Sequence, residues 1–322
     1  MRRHTFLRSF AALAGAAALP LPGRAHADTH LKILVPANPG GGWDLTARAL
    51  GSAMQDAGVA TTVNYDNRGG AAGTIGLVQF VNSSKGDANA MMVMGAVMLG
   101  GIISNKSPVS LAQATPLARL TREDNVFVVP AESSLKTMAD VVAQMKKDPA
   151  SVKWGGGSRG ATEHIAAAMI AREVGVNPGG INYVAFRGGG EATAAILGGN
   201  VTVGGSGYSE FEPYIKSGKM RAIAITAPQR LPGVDIPTLK EQGIAVVISN
   251  WRGVYAAPGI TLAQRGALIE KIVKATQGKA WKQALERNGW TPDVVTGLEF
   301  EKFVETDFAD LRSIMLKAGM VA

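Results

Sequence analysis

The stretch Val35-Pro36-Ala37-Asn38-Pro39-Gly40-Gly41-Gly42-Trp43-Asp44 decides how the fold of this chain is interpreted. It ends a short apolar run, Leu31 to Val35, which predicts a buried strand. Two prolines end that strand, three glycines let the backbone turn, and Asp44 is placed to open an amphipathic helix. The first N–H groups of such a helix lack an intrahelical partner, and the helix dipole favours an anion beside them. The stretch therefore predicts a turn that binds an anion.

The same order of strand, glycine turn and helix recurs at three further places. They are Asn67 to Thr74, Gly155 to Thr162 and Arg187 to Glu191. Glycine after a strand also serves tight connections that bind nothing, so a single turn does not decide between the two interpretations. Four such turns, accompanied by hydroxyl, aromatic and arginine side chains, predict one shared site for a small negatively charged molecule.

The candidate binding residues lie at or beside these turns, together with one serine and one tyrosine further along the chain. They are Gly41, Gly42, Trp43, Asp44, Gly70, Ala71, Gly73, Thr74, Ser158, Arg159, Thr162, Arg187, Gly189, Gly190, Ser206 and Tyr208. Arginine suits bidentate recognition of a carboxylate, although it is also common on a solvated surface. No catalytic residue, metal ligand or cofactor is predicted, because no histidine pair or carboxylate cluster has the spacing of a metal site.

Predicted strands and helices alternate along the chain, which is typical of an α/β fold with mostly parallel sheets and helices on both faces. A predicted strand at Asn125 to Pro130 crosses into a second unit, and another at Met220 to Thr226 returns. Two crossings predict two lobes with a hinge and a cleft between them. We expect residues 28–125 plus 229–322 in the first domain and residues 126–228 in the second.

Three helix starts carry the pattern of a capping box, in which a threonine is followed three residues later by an acid or amide. They are Thr137 with Asp140, Thr261 with Gln264, and Thr296 with Glu299. The apolar run from Met91 to Ile103 is shorter than the roughly 20 residues of a membrane span. Its glycines predict a buried strand that runs into a loop.

The first 27 residues have the organisation of a signal peptide. Arg2, Arg3 and Arg8 form a basic head, Phe10 to Leu21 is apolar, and Ala25-His26-Ala27 provides a cleavage signal. The apolar run is too short to favour a membrane anchor. The paired arginines are compatible with twin-arginine export, and ordinary Sec export fits equally well. The sequence therefore predicts an exported protein that works in the periplasm.

Composition narrows the function classes further. Hydrophobic residues make up 46% and charged residues 18%, which predicts a globular chain and not a disordered one. Without the four arginines of the leader, 29 basic residues face 25 acidic ones, a mild balance that gives little support to nucleic-acid binding. The absence of cysteine excludes disulfides, thiol catalysis and thiolate metal sites.

One motif offers an enzyme as the alternative. Gly156-Gly157-Ser158-Arg159-Gly160 matches the G-x-S-x-G nucleophile elbow of serine hydrolases. A hydrolase also needs a general base, and after removal of the leader only His30 and His164 remain. His164 lies on the helix that the motif opens, and His30 precedes the serine, so neither is well placed. The sequence therefore favours holding a ligand over transforming one.

Four segments together resemble a known family. They are Pro-Ala-Asn-Pro-Gly-Gly-Gly-Trp-Asp (36–44), Asn-Arg-Gly-Gly-Ala-Ala-Gly-Thr-Ile-Gly (67–76), Gly-Gly-Gly-Ser-Arg-Gly-Ala-Thr-Glu-His (155–164) and Ser-Asn-Trp-Arg-Gly-Val (249–254). In this order they resemble the periplasmic receptor of tripartite tricarboxylate transporters, the Bug-type receptors. The resemblance covers essentially the whole mature chain, and the Gly-Gly-Trp-Asp form is most similar to the tricarboxylate-binding subgroup.

This resemblance implies a Venus flytrap fold that closes on a carboxylate with the help of ordered waters. It implies a monomer that delivers its ligand to a membrane transporter of one large and one small subunit. By position, the family's binding turns correspond to Gly41 through Asp44, Gly70 to Thr74, Ser158 to Thr162, Gly189 to Glu191, and Ser206 with Tyr208. Citrate or a related tricarboxylate is the expected ligand, but Arg187 departs from the family pattern and leaves a dicarboxylate open. A sensor subunit that presents the same ligand to a membrane kinase is the second hypothesis.

Overall fold

The computed structural model describes residues 29–186 and 189–321, so the predicted signal peptide and Arg187 lie outside the described residues. Strands and helices alternate over most of this length. In chain order they are β1 (His30–Val35), α1 (Gly42–Asp56), β2 (Thr62–Asn67), α2 (Thr74–Ser83), β3 (Ala90–Gly95), α3 (Ala96–Ser104), β4 (Thr115–Pro130), α4 (Met138–Lys147), β5 (Lys153–Gly156), α5 (Thr162–Glu173), β6 (Asn182–Ala185), α6 (Gly189–Leu197), β7 (Val203–Gly207), α7 (Tyr208–Lys216), β8 (Met220–Ile225), β9 (Ser249–Ala256), α8 (Leu262–Gln277), α9 (Lys279–Asn288), β10 (Thr291–Thr296) and α10 (Gly297–Lys317).

The strands form one continuous sheet in the order β2-β1-β3-β9-β4-β7-β5-β6, and β10 and β8 also pair with β4. The outer strands pair in parallel, β1 with β2 and β3, and β5 with β6 and β7. The central pairs are antiparallel: β9 with β3 and β4, and β4 with β7, β8 and β10. The sheet is therefore mixed, and the prediction of mostly parallel sheets holds only for its two outer parts. The antiparallel pairs concentrate at β9 and β4, and of these two strands β4 is the one that pairs with strands of both halves.

Strand β4 links the two halves of the sheet. Residues Thr115 to Asp124 pair with β9, and the next residues, from Asn125, pair with β7. The sequence predicts only the part from Asn125 to Pro130, because the preceding residues are rich in charge. The structure explains those charges by pairing them: Arg119 contacts Asp293, and Ser249 donates a hydrogen bond to Asp124.

The run after β3 is helix α3 and not the predicted loop. Its glycines serve close packing: a Cβ atom at Gly100 would overlap the carbonyl oxygen of Gly160, and one at Gly101 would lie 2.6 Å from the Cβ of Ala72. The helix carries both residues against the second and third glycine turns, where any side chain would force the backbones apart. Within residues 29–186 and 189–321, no helix combines the length and the apolar character that crossing a bilayer requires.

Two of the three predicted capping boxes are confirmed. The Thr137 hydroxyl accepts a hydrogen bond from Asp140 N–H at 3.2 Å, and Thr261 accepts one from Gln264 N–H at 3.2 Å. The third prediction is wrong, because Thr296 begins α10 without a side-chain cap and instead ends β10, where it pairs with Ala118.

This contrast gives a stability test. Thr137→Ala removes a capping hydrogen bond and is expected to lower the free energy of unfolding by about 1 kcal/mol. Thr296→Ala removes no such bond and is expected to change it by less than about 0.5 kcal/mol. Denaturant unfolding of both variants checks this, and equal losses would show that the side-chain cap of α4 contributes nothing particular.

Candidate functional site

A cleft lies where the glycine turns of both halves of the sheet meet strand β9. It encloses a cavity of about 100 Å³. Drug-sized ligands occupy pockets of about 300–1,000 Å³, so this cleft suits a molecule of few heavy atoms. The residues that line it are Pro36, Ala37, Gly41, Gly42, Trp43, Gly70, Ala72, Gly73, Val97, Gly157, Ser158, Ala161, Glu163, Phe186, Ser206, Gly207, Glu210, Asn250 and Arg252.

The start of α1 provides unpaired donors to this cleft. The backbone N–H groups of Gly41, Gly42 and Trp43 have no hydrogen-bond partner within the described part of the chain. The Trp43 ring, 8% exposed, packs so closely against the second turn that a Cβ at Gly73 would lie 2.7 Å from it. The turn therefore presents unpaired amide donors to the cleft beside an apolar wall.

Asp44 stabilises this turn from behind the cleft. Its carboxylate accepts hydrogen bonds from Gly40 N–H, Arg48 Nε and Asn67 Nδ2, all at 3.0 Å. Burial raises the pKa of Asp44, but these three hydrogen bonds outweigh it and hold the pKa below its usual value. Asp44 thus ties the first glycine turn to the end of β2 and does not line the cavity.

The second turn follows an uncommon backbone path. Gly70 to Gly73 all have positive φ angles, including +47° at Ala71 and +54° at Ala72. Left-handed geometry costs an alanine roughly 1–2 kcal/mol, so the surroundings must impose it. The carbonyl of Ala71 accepts hydrogen bonds from the Thr74 hydroxyl at 2.8 Å and from Asn105 Nδ2 at 3.0 Å. Thr74 therefore shapes the turn and does not line the cavity.

The third turn holds a carboxylate of its own. Glu163, in the first turn of α5, accepts a hydrogen bond of 2.6 Å from Gly157 N–H and faces the cleft. Burial raises the pKa of Glu163, and its hydrogen bonds only partly offset this. Ser158 lines the cavity beside it.

The geometry around Ser158 does not resemble a hydrolase site. His164 Nδ1 accepts a hydrogen bond from Gly160 N–H at 3.0 Å, so this ring nitrogen is engaged in its own turn. Burial, and to a lesser degree the charge of Arg159, lowers the pKa of His164 to about 4. The other predicted histidine, His30, lies at the start of β1 and contacts the Thr62 hydroxyl.

Strand β9 brings a buried arginine to the bottom of the cleft. The Arg252 side chain is 1% exposed, and its Nη2 lies 2.5 Å from Glu123 Oε2 in an ion pair without hydrogen-bond alignment. Its guanidinium lies under the Trp290 ring, 5.3 Å from the centroid, and against Gly42. Arg252 Nη1 has no hydrogen-bond partner among the described residues. This donor therefore supplies a buried positive charge beside the amides of α1.

Helix α7 closes the opposite side of the cleft. Ser209, in the first turn of this helix, donates two hydrogen bonds to Glu123 of β4. One comes from its backbone N–H, at 2.7 Å, and the other from its hydroxyl. Glu210 lies next to Ser209, is partly buried and faces the cavity. Burial first, and then the charge of Glu123, raises the pKa of Glu210 to about 7, although Arg252 opposes this shift.

The structure brings together about half of the predicted binding residues. Those that line the cavity are Gly41, Gly42, Trp43, Gly70, Gly73, Ser158 and Ser206. Others support the turns without lining it, namely Asp44, Ala71, Thr74, Thr162 and Tyr208, the last of which donates its hydroxyl to Glu212. Arg159 is exposed and donates to the carbonyl of Tyr183 at 3.4 Å. Gly189 and Gly190 begin α6, and Gly190 is exposed there.

Sequence reasoning missed the charged residues of the cleft. Arg252 stands alone as a charge within the apolar segment Ala245 to Ala257, and such an isolated charge is the signal that could have marked it. Glu163 and Glu210 each lie in a first helical turn, where an acid is common for the helix dipole alone. Among the described residues, no group of three His, Cys, Asp or Glu side chains is arranged to hold a metal ion.

The raised pKa of Glu210 predicts how stability changes with pH. The folded chain keeps a proton that the unfolded chain releases at the ordinary value of 4.5, so the contribution of Glu210 to stability falls as pH rises from 4.5 to about 7. Glu210→Gln lacks this loss, so its melting temperature relative to wild type should be higher at pH about 8 than at pH about 5. A difference independent of pH would contradict this, and Glu212→Gln on the same helix is the matched control.

Comparison with known proteins agrees with this arrangement. A family model described as the tripartite tricarboxylate transporter family receptor matches residues 46–320. Protein BugT of Bordetella pertussis is 27% identical over 325 residues, which cover 96% of this chain and 95% of BugT. MatC from Rhodopseudomonas palustris, solved with malate, aligns with a TM-score of 0.78 at 19% identity, covering 88% of this chain and 98% of MatC. Rpa4515 from R. palustris, solved with adipate, aligns with a TM-score of 0.80 at 20% identity, covering 90% of this chain and 98% of Rpa4515.

These likenesses establish both fold and family. The structural matches confirm the predicted two-lobed α/β fold of periplasmic binding proteins. The family match extends over most of the chain, from within α1 to its last residues. The chain therefore belongs to the tripartite tricarboxylate transporter family of receptors, which bind solutes and are not enzymes.

Proposed function

We propose that this receptor captures a small carboxylate in the periplasm and delivers it to the membrane subunits of a tripartite transporter. The observation that carries the proposal is the convergence of unpaired donors in one cleft: the Gly41, Gly42 and Trp43 amides and Arg252 Nη1. These donors suit the oxygens of an acid, and His164, the histidine that follows Ser158, is engaged with Gly160 N–H in its own turn.

Magnitudes support direct hydrogen bonds as the basis of binding. A micromolar ligand requires about 8 kcal/mol. A helix dipole supplies roughly 0.3–1 kcal/mol, whereas a hydrogen bond to a charged group supplies about 1.5–3 kcal/mol. Several amides and the Arg252 fork acting together reach the required range, provided that the cleft closes and excludes water.

The identity of the acid is the finer part of the proposal. The resemblance of the Gly-Gly-Trp-Asp form to the tricarboxylate-binding subgroup favours a tricarboxylate, with citrate first. Two similar folds hold the dicarboxylates malate and adipate, and the cavity here is small, so a dicarboxylate is the second candidate. Glu163 and Glu210 in the lining also disfavour a ligand with many negative charges.

We further propose that the lobes are residues 28–125 plus 229–322 and residues 126–228, joined by a hinge at β4, where the chain enters the second lobe, and after β8, where it returns. The pairing of β4 supports this, since its partner changes from β9 to β7 between Asp124 and Asn125. Export through a signal peptide at residues 1–27 and a monomeric state complete the proposal.

The sensor hypothesis predicts normal uptake but a lost gene response in cells that lack this protein, whereas the transport hypothesis predicts lost uptake.

The ligand class can be tested by titrating the purified chain with citrate, tricarballylate, malate, succinate and adipate. We expect at least one acid to raise the melting temperature and to give a dissociation constant of about 1 μM to 100 μM by calorimetry. Tighter binding of citrate than of any dicarboxylate supports the tricarboxylate. Neither heat nor a thermal shift with any of the five would overturn the receptor proposal.

Arg252 can be tested with a matched control. Arg252→Lys keeps a charge beside Glu123 but loses the fork, so we expect affinity for the bound acid to fall by about tenfold or more. Arg159→Lys, at an exposed arginine outside the cavity, should change affinity by less than about threefold. Equal effects of the two substitutions in calorimetry would show that Arg252 does not contact the ligand.

A further inference from the structure

The cleft contains acceptors as well as donors, and a plain carboxylate leaves these acceptors unused. We propose that Glu210 and Asn250 form an acceptor subsite that selects acids also carrying a hydroxyl or an ammonium group. This inference rests on the proposed function, because it specifies which carboxylates the same cleft prefers.

Glu210 is the acid of the cleft with the fewest partners. Its hydrogen-bond partner among the described residues is the Ser206 hydroxyl. The neighbouring acids are engaged: Glu123 binds Arg252 and Ser209, and Glu163 accepts from Gly157 N–H. Glu210 therefore retains acceptor capacity that faces the cavity.

Asn250, on β9, supplies an independent observation. It is 7% exposed and lines the cleft, and its Oδ1 has no hydrogen-bond partner within the described residues. A buried acceptor without a partner carries a free-energy cost unless something else donates to it. Arg252 lies two residues further along β9, so the same face of this strand presents an unpaired acceptor and an unpaired donor. That combination matches a ligand that both accepts and donates.

The charges in the cleft favour the same class of ligand. Glu123, Glu163 and Glu210 lie near one cation, Arg252, in the part of the site that the structure describes. An acid without a donor leaves Glu210 and Asn250 unpaired, and an ammonium group on the ligand would also offset part of its negative charge. A site built to bond a donor discriminates strongly against analogues that lack it, because its own polar groups then remain unsatisfied.

The experiment measures affinities for acids matched in skeleton: malate and aspartate against succinate, and citrate against tricarballylate. We expect the wild-type chain to prefer at least one donor-bearing acid over its plain partner by about 10- to 100-fold, the range of a charge-assisted hydrogen bond. Glu210→Leu, which removes the acceptor, should reduce that preference to less than about threefold. Glu212→Gln, on the same helix but outside the cavity, should preserve it.

A second variant distinguishes a hydroxyl from an ammonium group on the ligand, and it also serves if the first variant misfolds. Glu210→Gln keeps an acceptor oxygen without the charge, so it should retain a preference for a hydroxyl acid and lose one for aspartate. Melting temperatures show whether each variant is folded. If Glu210→Leu is not folded, Glu210→Gln alone decides whether the subsite exists. Equal binding within every pair, or an unchanged preference in the folded Glu210→Leu chain, overturns the subsite while leaving the receptor proposal intact. Absence of binding to all of these acids overturns both.

Discussion

A buried ion pair at the bottom of the cleft connects the two halves of the protein. Arg252 belongs to β9, and Glu123 belongs to β4 just before that strand changes partners from β9 to β7. Glu123 also accepts from Ser209 at the start of α7, so its carboxylate links the strands of the hinge to the far side of the cleft. Such a pair contributes little net stability compared with apolar residues, but loss of either member leaves a buried charge unpaired. Its position indicates a role in orienting the site, since it fixes the guanidinium while leaving Nη1 free for a ligand.

Some backbone N–H groups at the turns and helix starts around the cleft are paired within the protein, and others are not. Asp44, Glu163 and Glu123 each accept a backbone N–H at a glycine turn or helix start, as buried amides require partners. The amides of Gly41, Gly42 and Trp43 remain without a partner among the described residues and line the cleft. The cleft consequently has a donor side at α1 and β9 and an acid-rich side at α5 and α7. A bound molecule is oriented by this polarity as well as by shape.

The sequence predicted the elements whose side chains alternate regularly or whose turns are rich in glycine. Strand β1, helix α1 and the turn between them follow directly from Leu31 to Asp44, because local chemistry determines each step. Strand β9 and the first part of β4 were missed because Arg252 and Glu123 interrupt their apolar pattern, and only tertiary pairing explains those charges. Six of the predicted residues that lie in glycine turns line the cavity, and so does Ser206. Glu210 and Asn250 could not be predicted, since residues 40 positions apart become neighbours only through the packing of α7 against the hinge.

The packing of α3 against the third turn sets a mechanical limit on this molecule. Gly100 and Gly160 belong to different lobes under the proposed division, and their backbones touch where even a methyl group has no room. The approach of α3 to the third turn is therefore limited by the hydrogen atoms of two glycines. A larger residue at position 100, which lies outside the cavity lining, would keep the receptor from closing fully. Position 100 therefore limits closure in the proposed two-lobed receptor without belonging to the cavity lining.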